Sequence, residues 1–364
     1  MIIPVVAANE YNELFKPLTG GYIAEVRLGG RPLYRYAADI LWEMFGRVYV
    51  ASRTAEGGRY EPLQVDGNSV EDAVRAAGQL CASGDKLLVA SGSVVTERDA
   101  FRALVEAAAS AGADGAVLAV PLRSRGGLAI AMSGGSLAGI GGEGQLAYGG
   151  AALIPGRAAK LFEGAEFPQA LAEAAREMKI AVAVWGGRWF KVEEPVDLVE
   201  ALELVMPNAT YIAADAKISP TAVIEGPVAV ESGAEIDHYA VVKGPAYIGR
   251  GAFVGAHALI RNFSDIEEGV VVGSSAEITH SLVGPRATIG RGSFVSYSVV
   301  GEGAVLEPNV LTKSVLRGGR DRLSPVEVRG RELYKLGALI GRGARVDAGT
   351  VLEPGQGFGV SSPA

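Results

Sequence analysis

The stretch YIAADAKISPTAVIEGPVAVESGAEIDHYAVVKGPAYIGRGAFVGAHALIRNFSDI, residues 211–266, decides the fold of half the chain. An aliphatic side chain stands at every sixth position, at Ile212, Ile218, Ile224, Val230, Ile236, Val242, Ile248, Val254, Ile260 and Ile266. Four residues after most of them comes a small or short one, at Ala216, Ala222, Val228, Ala234, Ala240, Ala246, Ala252, Ala258 and Ser264. Neither an α-helix nor an extended strand has that period. Aliphatic and small positions locked in phase at six are the signature of hexapeptide repeats, in which each short strand turns one aliphatic side chain inward and a turn follows. Three such strands make a triangular coil of roughly eighteen residues, and stacked coils bury a continuous apolar column. The expectation is a left-handed parallel β-helix with all ten aliphatic residues pointing inward.

Working outward, the period slips near Gly284 and Pro285, recovers at Ile289 and Val295, and loosens through Val300, Val305 and Val310. A charged segment from Arg317 to Gly337 interrupts it before Ile340, Val346, Leu352 and Phe358 resume the phase. That segment reads as a loop or hairpin leaving the stack. Because the ends of a solenoid expose a coil face, the first coil after Pro207 and the tail FGVSSPA are expected to be covered by other structure.

Residues 1–207 have a different texture. Apolar runs IIPVVAA, RVYVAS, KLLVAS and GAVLAVPL alternate with amphipathic stretches around Tyr34 to Phe45, Val70 to Ala82 and Arg98 to Ala111. Further strands LAIAM, GGAALI and IAVAVW follow, with helices around Ala158, Leu171 and Leu198. Alternating strand and helix predicts a mostly parallel, mixed sheet covered on both faces, a Rossmann-like α/β domain. The expected division is therefore an α/β domain over 1–207 and a β-helix domain over 208–364, with an excursion at about 317–337; a chain of 364 residues suits two domains. A single cysteine, Cys81, can form no disulfide within the chain, which points to a reducing, cytoplasmic compartment. No stretch reaches the roughly twenty apolar residues of a membrane span. A net charge of −7 speaks against a nucleic-acid partner.

An α/β domain followed by hexapeptide repeats resembles the sugar-1-phosphate nucleotidyltransferases with a C-terminal left-handed β-helix, including their archaeal bifunctional acetyltransferase members. The resemblance rests on four segments in order. VVAANEYNELFKPLT followed by RLGGRPLYRYAADIL resembles the family's AAGxGTRxxPLT loop and its G-K-P-L-I-E-Y, with Ala7, Ala8, Pro17, Leu18, Thr19, Gly30, Pro32, Leu33 and Tyr36 in matching places. KLLVASGS resembles the strand ending in Gly-Asp, GGRWFKVEEPVDLVEAL resembles W-x-D-x-G-T-P-E-D-L, and RELYKLGALIGRGARVDAGTVLEPG resembles the closing coils. The resemblance implies a nucleotide pocket at Ala7, Ala8, Asn9, Lys16 and Gly92, with a sugar nucleotide or nucleoside triphosphate as ligand.

The departures from the family fall on its chemistry. A glycine loop lets main-chain amides approach a triphosphate. Here that loop carries Asn9, Glu10, Tyr11, Asn12 and Glu13, and its acids would repel phosphate. By the resemblance the lysine after the loop is Ile23, the aspartate that closes the third strand and holds Mg²⁺ is Ser93, and the second metal aspartate is Lys191. The acetyltransferase histidine falls on Arg291, in RGSFVSYSVVGEGAVLEPNV, and arginine is no base near neutral pH. The three histidines His238, His257 and His280 lie elsewhere on the coils.

Three readings follow. The first is a catalytically degenerate nucleotidyltransferase-like protein, with no metal, that acts as a structural or regulatory subunit or a sugar-nucleotide sensor, as a trimer-based homo-oligomer or beside an active paralogue. The second is an active enzyme joining a nucleoside triphosphate to a hexose 1-phosphate with Mg²⁺ at a rearranged site, for which Lys16, Lys191, Asp197, Glu193 and Glu194 are the candidates. The third is an acyltransferase using the β-helix alone. Loss of both metal carboxylates favours the first.

Overall fold

The computed structural model describes residues 1–53, 58–122, 128–141, 144–317, 323–328 and 331–359. By contacts the chain forms two compact units that do not follow chain order: one holds 1–12, 22–25 and 32–191, the other 13–21, 26–31 and 192–364. The expected cut at 207 therefore differs from the contact division, because the segment after Lys191, including the helix around Leu198, packs with the repeats. Among the described residues, no helix is long and apolar enough to cross a membrane.

The first unit is built on a nine-stranded mixed sheet with β1 (Ile2–Ala7), β2 (Tyr49–Ser52), β3 (Glu61–Gln64), β4 (Lys86–Ser91), β5 (Gly115–Pro121), β6 (Ile130–Ser133), β7 (Ser136–Ile140), β8 (Leu146–Pro155) and β9 (Ile180–Val184). Their order is β3-β2-β1-β4-β8-β5-β9-β7-β6. The four strands from β3 to β4 are mutually parallel, and β8 runs antiparallel between β4 and β5. Val5, Val6 and Ala7 of β1 are fully buried, as a strand covered on both faces requires. Helices α1 (Tyr34–Phe45), α2 (Val70–Gly78), α3 (Arg98–Ser110) and α4 (Phe167–Glu177) supply the cover, and their apolar stripes enter two separate cores. The element around Ala158 is a 3₁₀ helix, Gly156–Phe162. The chain runs from β1 outward to β3 and returns to β4 on the other side of β1. The β1/β4 boundary is thus the point where strand order reverses.

In the second unit the repeats form three parallel sheets of eight, seven and seven strands, each strand bonded to the one a full coil later. Val230 pairs with Ile248 and Ile248 with Ile266, eighteen residues apart, in a triangular parallel β-helix. Val230, Val242, Ile248, Val254, Ile260 and Ile266 are fully buried and Ile236 nearly so, while Ile218 and Ile224 are partly buried against the same column. Ile212 departs from expectation at 43% exposed, and Tyr211 beside it is exposed too. Among the described residues the first strand of this column has a ladder neighbour on one side only, and residues 360–364 of the tail lie outside the described residues.

The slip lies earlier than expected. Ile266 pairs with Val283 and Val283 with Val300 at seventeen residues, so the shortened spacings are Ile278 to Val283 and Val295 to Val300. At each stands a residue with left-handed backbone, His280 at φ 47° and Tyr297 at φ 48°, which tightens the corner. The phase then continues through Leu306 and Thr312 rather than Val305, since both are buried where Val305 is only half-buried. The charged excursion leaves as two antiparallel ladders, Leu316–Arg317 with Leu323–Ser324 and Val326–Val328 with Arg331–Leu333. The stack closes beneath it, Val300 pairing directly with Ile340.

Against one sheet of this unit lies the segment 26–31. Consecutive left-handed glycines, Gly29 at φ 56° and Gly30 at φ 81°, aim their N–H groups at Asp265 Oδ2 (2.7 Å) and Glu267 Oε1 (2.8 Å). A side chain at Gly30 would run into the Tyr247 ring, so the close approach needs glycine. Arg27 Nε reaches Glu267 Oε2 at 3.3 Å, and Asp265 Oδ1 has no hydrogen-bond partner among the described residues. Both carboxyls are fully buried. Burial, and for Asp265 the neighbouring Glu267, raise their pKa values above the ordinary carboxylate range. A raised folded-state pKa contributes stability at pH below the unfolded value, which is lost as pH rises through the folded one. The urea midpoint should therefore fall as pH rises above about 4, the ordinary range for a carboxyl. Asp265→Asn, which needs no proton to stay neutral, should flatten that decline and match or exceed the wild type at pH 8; an unchanged pH profile in the variant would count against the assignment.

Candidate functional site

In open α/β sheets a ligand sits in the crevice outside the carboxyl ends of the strands, where strand order reverses. Here that crevice lies between the ends of β1 and β4 and belongs to the first unit alone. Gly92, just past β4, donates its N–H to Ala7 O at 2.8 Å, and Ala8 donates to Ala51 O at 2.8 Å. A Cβ at Gly92 would lie 2.6 Å from Ala7 O and 3.1 Å from Ala8 Cα, so glycine sets how closely the two loops meet. Ala7 and Ala8, expected to border a nucleotide, are buried wall.

Asn9 is 1% exposed and turned onto its own chain: Nδ2 donates to Gly67 O (3.1 Å) and Ser69 O (2.7 Å), while Oδ1 has no hydrogen-bond partner among the described residues. Those carbonyls are held in place by the capping box of α2, in which Asp72 and Ser69 bond each other's main-chain N–H. Next to it, half-buried Glu10 puts its carboxyl into the crevice. Ser91 Oγ donates to Glu10 Oε2, and Lys191 acts on that carboxyl through charge. Ser93 Oγ lies 2.7 Å from Ser91 Oγ, extending the hydroxyl chain. Lys191 arrives at the end of the short strand Trp189–Lys191, paired antiparallel with Val94–Thr96.

Burial raises the Glu10 carboxyl above its usual range against the opposing pull of Lys191, Ser91 and Gly92, and Glu71 pushes it further up. The Tyr148 hydroxyl, buried and facing Glu10 and Glu71, is likewise raised. Ile23 joins the crevice only through its main chain, donating to Glu10 O at 3.3 Å; its side chain is buried. On the β2 side a pocket of about 270 Å³ opens at Ala8, walled by Tyr34, Tyr60 and Glu25, whose carboxyl is also raised by burial. That is at or below the lower end of the range, roughly 300–1,000 Å³, of sites that enclose a small-molecule ligand.

The remaining candidates fall elsewhere. Glu13 and Lys16 belong to the second unit, 3.7 Å apart, on the wall of a largely apolar cavity of about 630 Å³. Only Glu10 of the two loop acids therefore occupies the crevice. Asp197 begins α5 (Asp197–Val205), where it accepts from Glu193 N (2.8 Å) and Glu194 N (2.7 Å) and pairs with Arg331. Its carboxylate thus ties down the chain that leads into the helix and, as an acid in the first turn, suits the helix dipole. Arg291 is exposed in a β-helix turn. His280 is buried on Val199 O (3.1 Å) and stacked on Tyr297 at 4.4 Å, and burial lowers its pKa. His238 and His257 are exposed, with Tyr239 between them and stacked on His257 at 5.1 Å. Among the described residues no cluster of three or more His, Cys, Asp or Glu could hold a metal ion.

Sequence reasoning passed over Ser91, Glu71 and Tyr148. Only the first carried a signal, as a second serine at a strand end two residues before Ser93. Compared with protein-family models and with curated proteins, the chain matches none.

Lys191 is the strongest influence lowering the Glu10 pKa, so Lys191→Met should raise it further. Carbon-detected NMR titration of the glutamate carboxyls would show one resonance moving to higher pH in the variant; an unmoved set would mean that the two charges do not face each other in solution.

Proposed function

We propose that this chain is a sugar-1-phosphate nucleotidyltransferase-like protein that has lost turnover, and that it serves as a structural or regulatory subunit or as a sugar-nucleotide sensor in the cytoplasm. The observation that carries this reading is the end of β4, where Ser93 is buried with its hydroxyl 2.7 Å from Ser91 Oγ and Ser91 donates to Glu10. Nucleotidyl transfer depends on clamping phosphates with a divalent cation that offsets developing charge. Mg²⁺ takes oxygen ligands in near-octahedral geometry and favours carboxylates. In the crevice the resemblance puts Ser93 and Lys191 where the metal carboxylates belong; one is a hydroxyl bound to Ser91, the other a cation. These residues do not fit Mg²⁺. The rearranged-site alternative loses support as well, since Asp197 is engaged with Arg331 and two main-chain N–H groups.

Purified protein should release no measurable pyrophosphate from any common nucleoside triphosphate with any hexose 1-phosphate and Mg²⁺. Removing one well-placed electrostatic group typically slows such a step by on the order of a hundredfold or more. Robust turnover abolished by Lys191→Ala would overturn the reading. Ser93→Asp combined with Lys191→Asp should gain Mg²⁺ binding, read by calorimetry.

We further propose a trimer-based homo-oligomer through the β-helix. The support is the exposed ring column of His238, Tyr239 and His257, of which Tyr239 and His257 hold left-handed backbone that an aromatic residue adopts only at some cost. Light scattering at micromolar concentration should return three times the monomer mass, and Tyr239→Asp should reduce it; a monomer in the wild type would exclude the assembly.

A further inference from the structure

We propose that the hairpin tip Gly29–Gly30 is a proton-gated latch on the β-helix: it lies closed on Asp265 and Glu267 while the pair holds a proton, and lifts from them, with the coils beneath intact, once both carboxyls are ionised.

Arg27–Leu28 and Arg31–Pro32 form a two-stranded ladder, and Gly29 and Gly30 make the turn between them. Behind the turn, Val26 and Leu28 are buried and anchor the segment by apolar contact. The tip itself has no side chain to bury. It is held by the Gly29 N–H on Asp265 Oδ2 at 2.7 Å, by the Gly30 N–H on Glu267 Oε1 at 2.8 Å, and by the Arg27 guanidinium, which bridges Glu267 Oε2 (3.3 Å) and the Gly30 carbonyl. The hold on the tip is therefore polar, and the protein end of it is a pair of carboxyls.

That pair cannot comfortably carry two charges. Asp265 and Glu267 lie two residues apart with no exposed surface. The charged groups that face them are Arg27 and, for each, the other carboxyl; Tyr247 in the neighbouring coil presents a phenol, which also feels Glu231. One cation does not offset two buried carboxylates. Asp265 Oδ1 has no hydrogen-bond partner among the described residues, so ionising Asp265 puts charge on a buried oxygen with no donor to meet it. A proton on Asp265 removes that cost, and Oδ2 still accepts from Gly29. Burial raises both carboxyls above their ordinary range, and Glu267 raises Asp265 further. A proton bound more tightly in the closed form than in the open one stabilises the closed form, and the effect is lost as pH rises through the closed-state pKa. Lifting the tip admits water to both carboxylates. It gives up hydrogen bonds but no apolar burial, because Val26 and Leu28 stay seated.

The test is hydrogen–deuterium exchange of the full chain, read by mass spectrometry and divided by the intrinsic rate of an unstructured peptide. A fragment spanning 26–31 is compared with one spanning 228–242 in the coils. Between about pH 5 and about pH 9 the protection of 26–31 should fall, by about tenfold per pH unit where it is steepest, as release of one proton requires, while that of 228–242 holds. A urea midpoint reports the whole fold; exchange reports the tip. Asp265→Asn and Glu267→Gln each leave one acid beside one cation, so each should keep 26–31 protected at the upper pH, and where one variant does not fold the other decides. Protection that ignores pH in the wild type would overturn the latch. So would loss that takes 228–242 along with it, or a pH-dependent loss that survives in the neutral variants.

Discussion

The β-helix depends on one constraint: every inward position must match the one a coil above and below it. Parallel pairing at eighteen residues places Val230, Ile248 and Ile266 in a single column, and a polar side chain there would be buried on all sides. The phase tolerates shorter corners provided that two coils shorten together, as at His280 and Tyr297, which stack on each other at 4.4 Å. It tolerates an excursion provided that the strands on either side remain in register, as Val300 and Ile340 do. At an aliphatic position Thr312 breaks the rule without being unsatisfied, because its hydroxyl accepts from Ser296 N at 2.8 Å.

That strictness is why the second unit was legible. A period of six survives in sequence because each of Ile236, Val242 and Val254 is fixed by its column and not by a long-range partner. The α/β sheet was legible for the related reason that strands buried on both faces read as unbroken apolar runs, as IIPVVA does. What escaped was whatever depends on two distant segments meeting. Asp265 and Glu267 occupy outward positions of a repeat, where charge is ordinary; only the arrival of Gly29 and Gly30 buries them. Ile212 fits the period perfectly yet is exposed, since a phase says nothing about where a stack ends.

The crevice was half legible. Ser93 and Lys191 stood out as departures from a resembling motif, but Glu10 and Glu13 looked alike, two acids three residues apart. Their separation into different compact units is a matter of chain path, which local pattern does not encode. Asp197 looked available for chemistry because its sequence context, a proline followed by an apolar helix, does not announce that Arg331 will reach it from more than a hundred residues away.

The two buried acid sites differ in how far solvent reaches them. In one, Asp265 and Glu267 take the N–H groups of Gly29 and Gly30 and Glu267 meets Arg27; in the other, Glu10 takes the Ser91 hydroxyl and feels the charge of Lys191. Asp265 and Glu267 have no exposed surface, and burial raises both carboxyls above their usual range. Glu10 is half-buried, sits in a loop, and borders hydroxyls that can turn to another acceptor. A buried carboxyl sealed on every side stabilises only by staying neutral. Glu10 keeps some exposure and sits on a loop, so its charge answers to solvent as well as to Ser91 and Lys191, and that difference separates the two sites more firmly than their shared chemistry joins them.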